Sequence, residues 1–162
     1  MPTKLSVRDM HGLGFALKEA QNSYDEGGIP IGSALLSSKG ELLGKGHNMR
    51  VQRESPTLHA EIAALENAGR LSADVYRDAT IYTTLSPCDM CTGAILLYRI
   101  PRVVIGENST FMGGEELLRA RGVEVIVAED KACQDLMEKF VKERPAIWFE
   151  DIGEVEGSSV AS

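Results

Sequence analysis

Cysteine is scarce in this sequence, which contains only Cys88, Cys91 and Cys133 among 162 residues. So few cysteines cannot form the disulfide framework of a small secreted domain, and they fit a reducing compartment. Long hydrophobic runs are missing too, because the longest strongly apolar stretch is the short segment 94–97. A membrane-spanning helix needs about 20 such residues. The sequence therefore predicts a cytoplasmic protein without a membrane partner, and a nuclear location is equally compatible with it.

Basic residues are in the minority. Seventeen Lys and Arg residues stand against twenty-four Asp and Glu residues, which gives a formal net charge of −7. Such a charge repels polyanions, so the sequence disfavours nucleic acid as a partner, whereas a neutral small molecule is indifferent to it. The length of 162 residues and the 43% hydrophobic content are typical of a single domain with its own core.

Two short motifs stand out against this ordinary composition. One is His59-Ala60-Glu61, and the other is Pro87-Cys88-Asp89-Met90-Cys91. Together they match H-x-E…P-C-x-x-C, the signature of zinc nucleobase deaminases. The chemistry supports the match, because two thiolates three residues apart share one face of a helical turn, and His59 supplies a third ligand. The sequence therefore predicts one Zn²⁺ held by His59, Cys88 and Cys91.

The residue two positions after the histidine ligand decides between two kinds of zinc site. Glu61 is offset around a helix from His59, so it can act as a proton shuttle beside the metal instead of binding it. The alternative is a structural zinc site, which normally has four protein ligands. The remaining candidates for a fourth ligand are His11, His47 and Cys133, and none has close ligand spacing to either motif. The sequence thus favours a catalytic site.

Hydrophobic periodicity and turn residues predict strands alternating with helices. The predicted helices cover residues 7–24, 58–67, 88–98, 115–120 and 131–144, and the predicted strands cover 31–36, 42–48, 80–85, 102–106 and 123–127. Residues 49–56 are predicted as a loop, and Thr57 as the cap of the next helix. Gly44 and Gly46 indicate a bulge or a close backbone approach. This pattern is that of an α/β domain with a five-stranded sheet between helix layers.

Several longer stretches carry a resemblance to a known family. Residues 44–50, 83–95, 143–145 and 148–154 resemble the yeast-type cytosine deaminases, small zinc enzymes of the cytidine-deaminase fold. The resemblance covers nearly the whole chain. It implies a three-layer α/β/α sandwich with a mixed five-stranded sheet, and a deaminase domain over residues 1–153. Residues 154–162 have little to bury and are expected to form a disordered tail.

The same resemblance implies an activity, namely deamination of free cytosine to uracil and ammonia in pyrimidine salvage, by a homodimer with one zinc per chain. Zinc-bound hydroxide would attack the ring carbon that bears the amine, and Glu61 would shuttle the protons. The residues that would contact the pyrimidine are Asn48, the Ala60 N–H, Ser86, the aromatic walls Phe111 and Trp148, and Asp151 beside the exocyclic amine.

Three other interpretations remain open on the sequence alone. A tRNA-type adenosine deaminase shares the zinc signature, although the charge of −7 weighs against a polyanionic substrate. Guanine or another free base is a second alternative, since sequence defines pocket shape poorly. The third is a zinc-stabilised binding module without turnover, which would have no need of Glu61.

Overall fold

Helix α1 (Val7–Asp25) opens the fold in the computed structural model, which describes residues 4–157. Ser6 caps it, and the Ser6 hydroxyl accepts a hydrogen bond from the Asp9 N–H at 3.1 Å. The helix ends at Glu26, after which Gly27 adopts a φ of 83° that glycine tolerates without strain. The helix predicted over residues 7–24 is therefore confirmed.

Within residues 4–157 the chain forms eight helices and five strands. After α1 they come in the order β1 (Gly32–Leu36), β2 (Leu42–His47), α2 (Arg50–Arg53), α3 (Ala60–Ala68), α4 (Ala73–Tyr76), β3 (Thr80–Leu85), α5 (Asp89–Leu97), β4 (Arg102–Glu107), α6 (Glu115–Ala120), β5 (Glu124–Val127), α7 (Lys131–Glu143) and α8 (Pro145–Asp151). All five predicted strands are present.

The sheet is mixed and has the strand order β2-β1-β3-β4-β5. Strand β1 is antiparallel to β2 and β3, whereas β3, β4 and β5 run parallel to one another. Parallel strands leave their carboxyl ends at one edge, and in α/β folds this edge commonly binds ligands. Both segments that carry the predicted zinc ligands approach this edge.

Helices cover both faces of the sheet, as the three-layer prediction requires. On one face, Tyr82 and Val104 pack against Leu13 and Ala16 of α1, and Gly106 faces Cys133 of α7. The opposite face carries a second cluster, which contains Leu35, Ile81, Val103 and Ile105 of the strands, Ile95 of α5 and Leu118 of α6. The α/β/α sandwich is therefore confirmed.

Helix α3 lies unusually close to strand β2. A Cβ atom at Gly44 would lie 2.6 Å from the Ala64 carbonyl oxygen, and one at Gly46 would lie 2.7 Å from the Ala63 Cβ. Only glycine fits at these positions, which confirms the close approach expected from the sequence. The contact fixes α3 on the sheet, and with it the start of the helix at His59.

Two local predictions are wrong, and residues 145–151 form a helix that was not predicted. Residues 49–56 contain the one-turn helix α2, which is too short to show a hydrophobic period. The N-cap of α3 is His59 instead of Thr57, because the chain stays extended through His59. Pro145 ends α7 as predicted, but it also begins α8 as its first residue, where its missing N–H is no loss. This second role makes residues 145–151 a helix.

Two further expectations concern the ends and surroundings of the chain. The structure describes residues 154–157 of the tail expected over residues 154–162. The Glu154 N–H donates a hydrogen bond to the Phe149 carbonyl at 2.8 Å. Residues 158–162 lie outside the described part, so disorder of the tail stays a prediction. In the described part of the chain no helix has the length and hydropathy needed to cross a membrane.

Candidate active site

The two sequence motifs meet at the carboxyl edge of the sheet. His59 is the N-cap of α3 and Cys88 is the N-cap of α5, so each lies where its segment turns into a helix. Strand β3 ends at Leu85 and delivers the chain directly to Cys88. The ligand atoms of His59, Cys88 and Cys91 all lie within 4.8 Å of one another. The structure therefore brings the three predicted metal ligands together.

The geometry of this cluster suits zinc. His59 Nδ1 lies 3.4 Å from Cys88 Sγ. Zn–S bonds of about 2.3 Å and Zn–N bonds of about 2.1 Å at tetrahedral angles put the two atoms about 3.6 Å apart. Two sulfur atoms and one imidazole nitrogen are also ligands that zinc prefers, and three protein ligands are the number found in catalytic zinc sites. The residues present fit a catalytic zinc ion.

The surroundings of Cys88 favour its thiolate form. The hydrogen bond with Cys91, helped by that with His59, outweighs burial and lowers the pKa of Cys88 to about 4. Burial alone would lower the pKa of His59, but the Cys88 hydrogen bond and the nearby carboxylates raise it to about 9. The hydrogen bond to Cys88 and burial raise the pKa of Cys91. A cation entering here meets a preformed thiolate, which is the state that binds metal.

Glu61 lies in the first turn of α3 and is buried. The Thr83 hydroxyl approaches its Oε1 at 2.6 Å, which orients the carboxyl group from strand β3. Burial raises the pKa of Glu61, and the Cys88 thiolate adds to the effect. A buried carboxyl group with a raised pKa beside a metal cluster is typical of a group that carries a proton.

A cavity of about 310 Å³ opens beside the cluster. Its walls include every site residue predicted from the sequence except Cys91, namely Asn48, His59, Ala60, Glu61, Ser86, Cys88, Phe111, Trp148 and Asp151. Phe111 and Trp148 stand edge to face with ring centroids 6.2 Å apart. The described structure thus gathers the candidate zinc ligands, two carboxyl groups and two aromatic rings around a small space.

The polar side of the cavity is built around Asp151, the last residue of α8. The Asn48 amide donates a hydrogen bond to Asp151 Oδ1 at 2.8 Å, and His59 Nε2 lies 3.4 Å from the same oxygen. Asn48 Oδ1 accepts from the Arg50 N–H at 3.0 Å, which fixes the orientation of its amide. Burial raises the pKa of Asp151, while His59, Asn48 and Arg50 oppose the shift.

This geometry agrees with what comparison with known proteins finds. The family model of the cytidine and deoxycytidylate deaminase zinc-binding region matches residues 8–107, more than half of the chain. The chain belongs to this deaminase family. The match confirms the resemblance seen in the sequence, the hydrolase class and zinc as the cofactor.

Individual relatives narrow the position of this deaminase within the family. A cytosine deaminase of Candida albicans is 60% identical over 150 residues, which cover 93% of this chain and all of the relative. A tRNA-specific adenosine deaminase of Streptococcus pyogenes is 40% identical over 105 residues, which cover 64% of this chain and 65% of the relative. The guanine deaminase of Nitrosomonas europaea has a solved structure that superimposes with a TM-score of 0.69 at 24% identity, covering 86% of this chain and 87% of the other. That last likeness supports the fold alone.

The loop that carries Phe111 is anchored to the deaminase core by two buried carboxyl groups. Glu107 Oε2 accepts hydrogen bonds from the N–H groups of Ser109 at 2.8 Å and Thr110 at 3.0 Å. Glu115 Oε2 accepts from the Ser86 hydroxyl at 2.7 Å. The Ser86 side chain is therefore turned toward the loop, so it supports the wall that contains Phe111.

Several residues of the site were not singled out for a role by sequence reasoning. Thr83 lies within a predicted strand and Glu107 directly follows one, and period-2 alternation alone does not reveal that Thr83 contacts Glu61 or that Glu107 holds the Phe111 loop. Arg50 lies within the stretch 44–50 that carried the family resemblance, which was a signal of importance without a role. Polar residues near the carboxyl ends of β3 and β4 were the clue that could have found Thr83 and Glu107.

Proposed function

We propose that this deaminase converts free cytosine and water to uracil and ammonia. The observation that carries the proposal is the small cavity beside Glu61, which is lined by Trp148 and Asp151 of α8. Its lining combines a side-chain amide, carboxyl groups and two aromatic rings, which are groups that complement a single polar base. The 60% identity with a cytosine deaminase, over the full length of that relative, supports the same substrate.

The cavity offers groups that complement a pyrimidine. After its bonds to Asp151 and Arg50, the Asn48 amide keeps one N–H and one lone pair, which match a ring carbonyl and the adjacent ring N–H. The Ala60 N–H lies in the first turn of α3, where backbone donors lack helical partners. Asp151 accepts from the exocyclic amine, and the Phe111 and Trp148 rings flank the base. Replacing that amine by a carbonyl, as in uracil, would remove the donor that Asp151 recognises.

Glu61 is the proton carrier in this proposal. Bound zinc, held by His59, Cys88 and Cys91, supplies the Lewis acidity that lets a water molecule lose a proton near neutral pH. Glu61 takes up this proton and passes it to the ring nitrogen next to the amine-bearing carbon, which makes that carbon electrophilic. The hydroxide adds to that carbon, and a second transfer moves the proton of the added hydroxyl through Glu61 to the amino group, so that the C–N bond breaks, ammonia leaves and the carbonyl of uracil forms. Thr83 holds the carboxyl group in place for both transfers.

A substrate panel tests the proposal. Purified zinc-loaded protein is offered cytosine, cytidine, guanine, adenine and a tRNA anticodon stem-loop, and ammonia release is measured. We expect turnover of cytosine and at least about 100-fold lower kcat/KM for the others, because a site built to hydrogen-bond one base leaves buried groups unpaired with another. Preferred turnover of the stem-loop would instead place the protein with its tRNA-specific relatives, and preferred turnover of guanine with the purine deaminases.

We further propose a homodimer formed through α5 and α6. Leu97 is 71% exposed and Leu117 is 50% exposed, on helices that contact each other. Large apolar side chains grouped on one surface are typical of an interface. Sedimentation should give a species of twice the 17.6 kDa chain mass, and Leu97→Glu should shift it toward the monomer. A wild-type protein that stays at the chain mass at micromolar concentration would contradict the dimer.

A location in the cytoplasm, or in the nucleus, and a role in pyrimidine salvage complete the proposal. The three cysteines are free thiols, which supports a reducing compartment. Fractionation of cells that express the protein at native level tests the location.

A further inference from the structure

Arg50 touches both residues proposed to read the pyrimidine, although it does not line the cavity beside the zinc cluster. It is the first residue of α2. Its N–H holds the Asn48 amide at 3.0 Å, and its Nη1 lies 3.7 Å from Asp151 Oδ1. Its Nε donates to the Pro56 carbonyl at 3.1 Å. One guanidinium group thereby links the segment that leads to His59 with the end of α8.

The two ion pairs of Arg50 differ in how far they are buried. Its side chain is 12% exposed and that of Asp151 is 2% exposed, whereas Glu150, whose Oε1 lies 3.6 Å from Nη2, is 72% exposed. An exposed ion pair contributes little, because water screens it and the side chains lose freedom. A buried carboxylate without a cation is strongly unfavourable. Loss of the contact with Asp151 is therefore more costly than loss of the contact with Glu150.

Within residues 4–157, the hydrogen bond and both ion pairs of Asp151 are on one oxygen. Asn48 Nδ2, His59 Nε2 and Arg50 Nη1 each approach Oδ1, so Oδ2 is the oxygen left to accept a hydrogen bond from a ligand. The Asn48 amide is neutral, and a histidine that binds zinc is neutral as well. Arg50 alone among these three partners is a permanent cation.

We propose that Arg50 is a positioning residue, which holds Asp151 and the end of α8 so that Oδ2 meets the exocyclic amine of the substrate. The inference rests on the proposed function, because it presumes an amine-bearing base in the cavity. Arg50 acts through Asp151 and touches no reacting atom. Its planar fork matters because one group must reach Pro56 and Asp151 at the same time, which a lysine cannot do.

A double-mutant cycle tests this role. Arg50→Met, Asp151→Asn and the double variant are assayed with cytosine. Arg53→Met, on the same helix, is the matched control. We expect Arg50→Met to lower kcat/KM about 10-fold or more and Arg53→Met to change it by less than about 2-fold. The double variant should be no more than about 2-fold worse than Asp151→Asn, because Arg50 acts only through that carboxylate.

A second readout separates positioning from general damage to the cavity. Pyrimidin-2-one keeps the ring and carbonyl of cytosine but lacks the exocyclic amine. Its Kd, measured by calorimetry on zinc-loaded protein, should change by less than about 3-fold in Arg50→Met, since no amine contact is lost. Arg50→Lys should fall between wild type and Arg50→Met in kcat/KM. If Arg50→Met does not fold, the cycle is run with Arg50→Lys.

Three results would overturn the inference. They are wild-type kcat/KM in Arg50→Met, effects of Arg50→Met and Asp151→Asn that multiply in the double variant, and equal weakening of cytosine and pyrimidin-2-one. Failure of the proposed function looks different, because the wild type itself would then leave cytosine unchanged. In that case the same cycle is run with the amine-bearing base that the wild type does deaminate.

Discussion

Two neighbouring residues of strand β3 hydrogen-bond two buried carboxyl groups on opposite sides of the sheet. Tyr82 points to the α1 face and donates to Asp9 Oδ1 at 3.0 Å, whereas Thr83 points to the other face and meets Glu61 Oε1 at 2.6 Å. Asp9 and Glu61 are each 3% exposed. Both carboxyl groups are hidden from solvent and both contact β3, so what surrounds each of them can be compared.

The surroundings give the two groups opposite properties. Arg102 forms two hydrogen bonds to Asp9, at 2.6 and 2.7 Å, and this pairing lowers the pKa of Asp9 to about 2 despite burial. Burial raises the pKa of Glu61, and its neighbours include the Cys88 thiolate instead of an arginine. A fully paired carboxylate locks α1 to the sheet. A buried carboxyl group that is not paired with an arginine is one that can exchange protons.

The largest expected effect is on kcat, and it should occur on substitution of Glu61 but not of Asp9. Glu61→Gln keeps the size and polarity of the side chain but removes the proton carrier, so kcat should fall by about 10²–10⁴. Asp9→Asn should leave kcat within about 3-fold of wild type while lowering stability, because Asp9 has only a structural role. Steady-state kinetics, zinc content and chemical denaturation of both variants provide the measurement.

The comparison fails if the two variants behave alike. Near-normal turnover in Glu61→Gln would mean that another group carries the proton. Loss of zinc from Glu61→Gln would mean that the carboxylate supports the metal site as well. An inactive but stable Asp9→Asn would show that the pairing of Asp9 with Arg102 also affects the cavity.

A second prediction concerns stability and its dependence on pH. Arg102→Met should lower the free energy of unfolding at pH 7 by about 3 kcal/mol, because Asp9 is left buried without its cation. The pKa of Asp9 is lowered from 3.8 to about 2 in the folded protein. The stabilisation that it contributes is therefore present above about pH 4 and is lost as the pH falls through about 2.

Urea denaturation of wild type and Arg102→Met between pH 7 and pH 2.5 measures this difference. We expect the gap between the two proteins to be constant at neutral pH and to narrow in the most acidic samples. Lys131→Met is a suitable control, since both side chains of the Lys131–Asp135 ion pair are exposed. A gap that is independent of pH would show that Arg102 stabilises the fold by packing alone.

Much of the fold could be predicted from the sequence, because local signals and tertiary packing agree there. Ser6 and Asp130 cap helices that begin at residues 7 and 131, where the sequence predicts them, and the glycines of β2 meet α3 as expected. Prediction failed where one residue has two roles. Pro145 ends α7 and begins α8, and a signal that ends one helix does not show that another begins there. The one-turn helix α2 is too short for periodicity to detect.

The site, too, contains residues that could be predicted from the sequence and residues that could not. The zinc ligands lie in two short motifs that together match a known signature, so the sequence was enough to group them. The contacts around the substrate join residues far apart in the chain, such as Asn48 and Asp151, and no spacing rule predicts them. These assignments came from family resemblance, and the structure adds that their side chains line one cavity. The role of Arg50 could be recognised only in the structure, because the residues that it contacts lie on three separate segments.

The smallest expected effect concerns Thr83 itself. Thr83→Val keeps the shape of the side chain and removes the hydroxyl that orients Glu61, so kcat should fall about 5- to 10-fold, the equivalent of roughly one buried hydrogen bond. Thr84→Val is the matched control, because the Thr84 hydroxyl accepts from the Gly32 N–H at 3.1 Å and has no contact with Glu61. Both variants should lose about 1 kcal/mol of stability, yet only Thr83→Val should lose activity. Equal losses of kcat in the two variants would mean that strand β3 tolerates no change near the cavity and that the Thr83 contact has no specific role. A fall confined to Thr83→Val, with zinc content unchanged, would show that the orientation of the Glu61 carboxyl group, and not its presence alone, contributes to turnover.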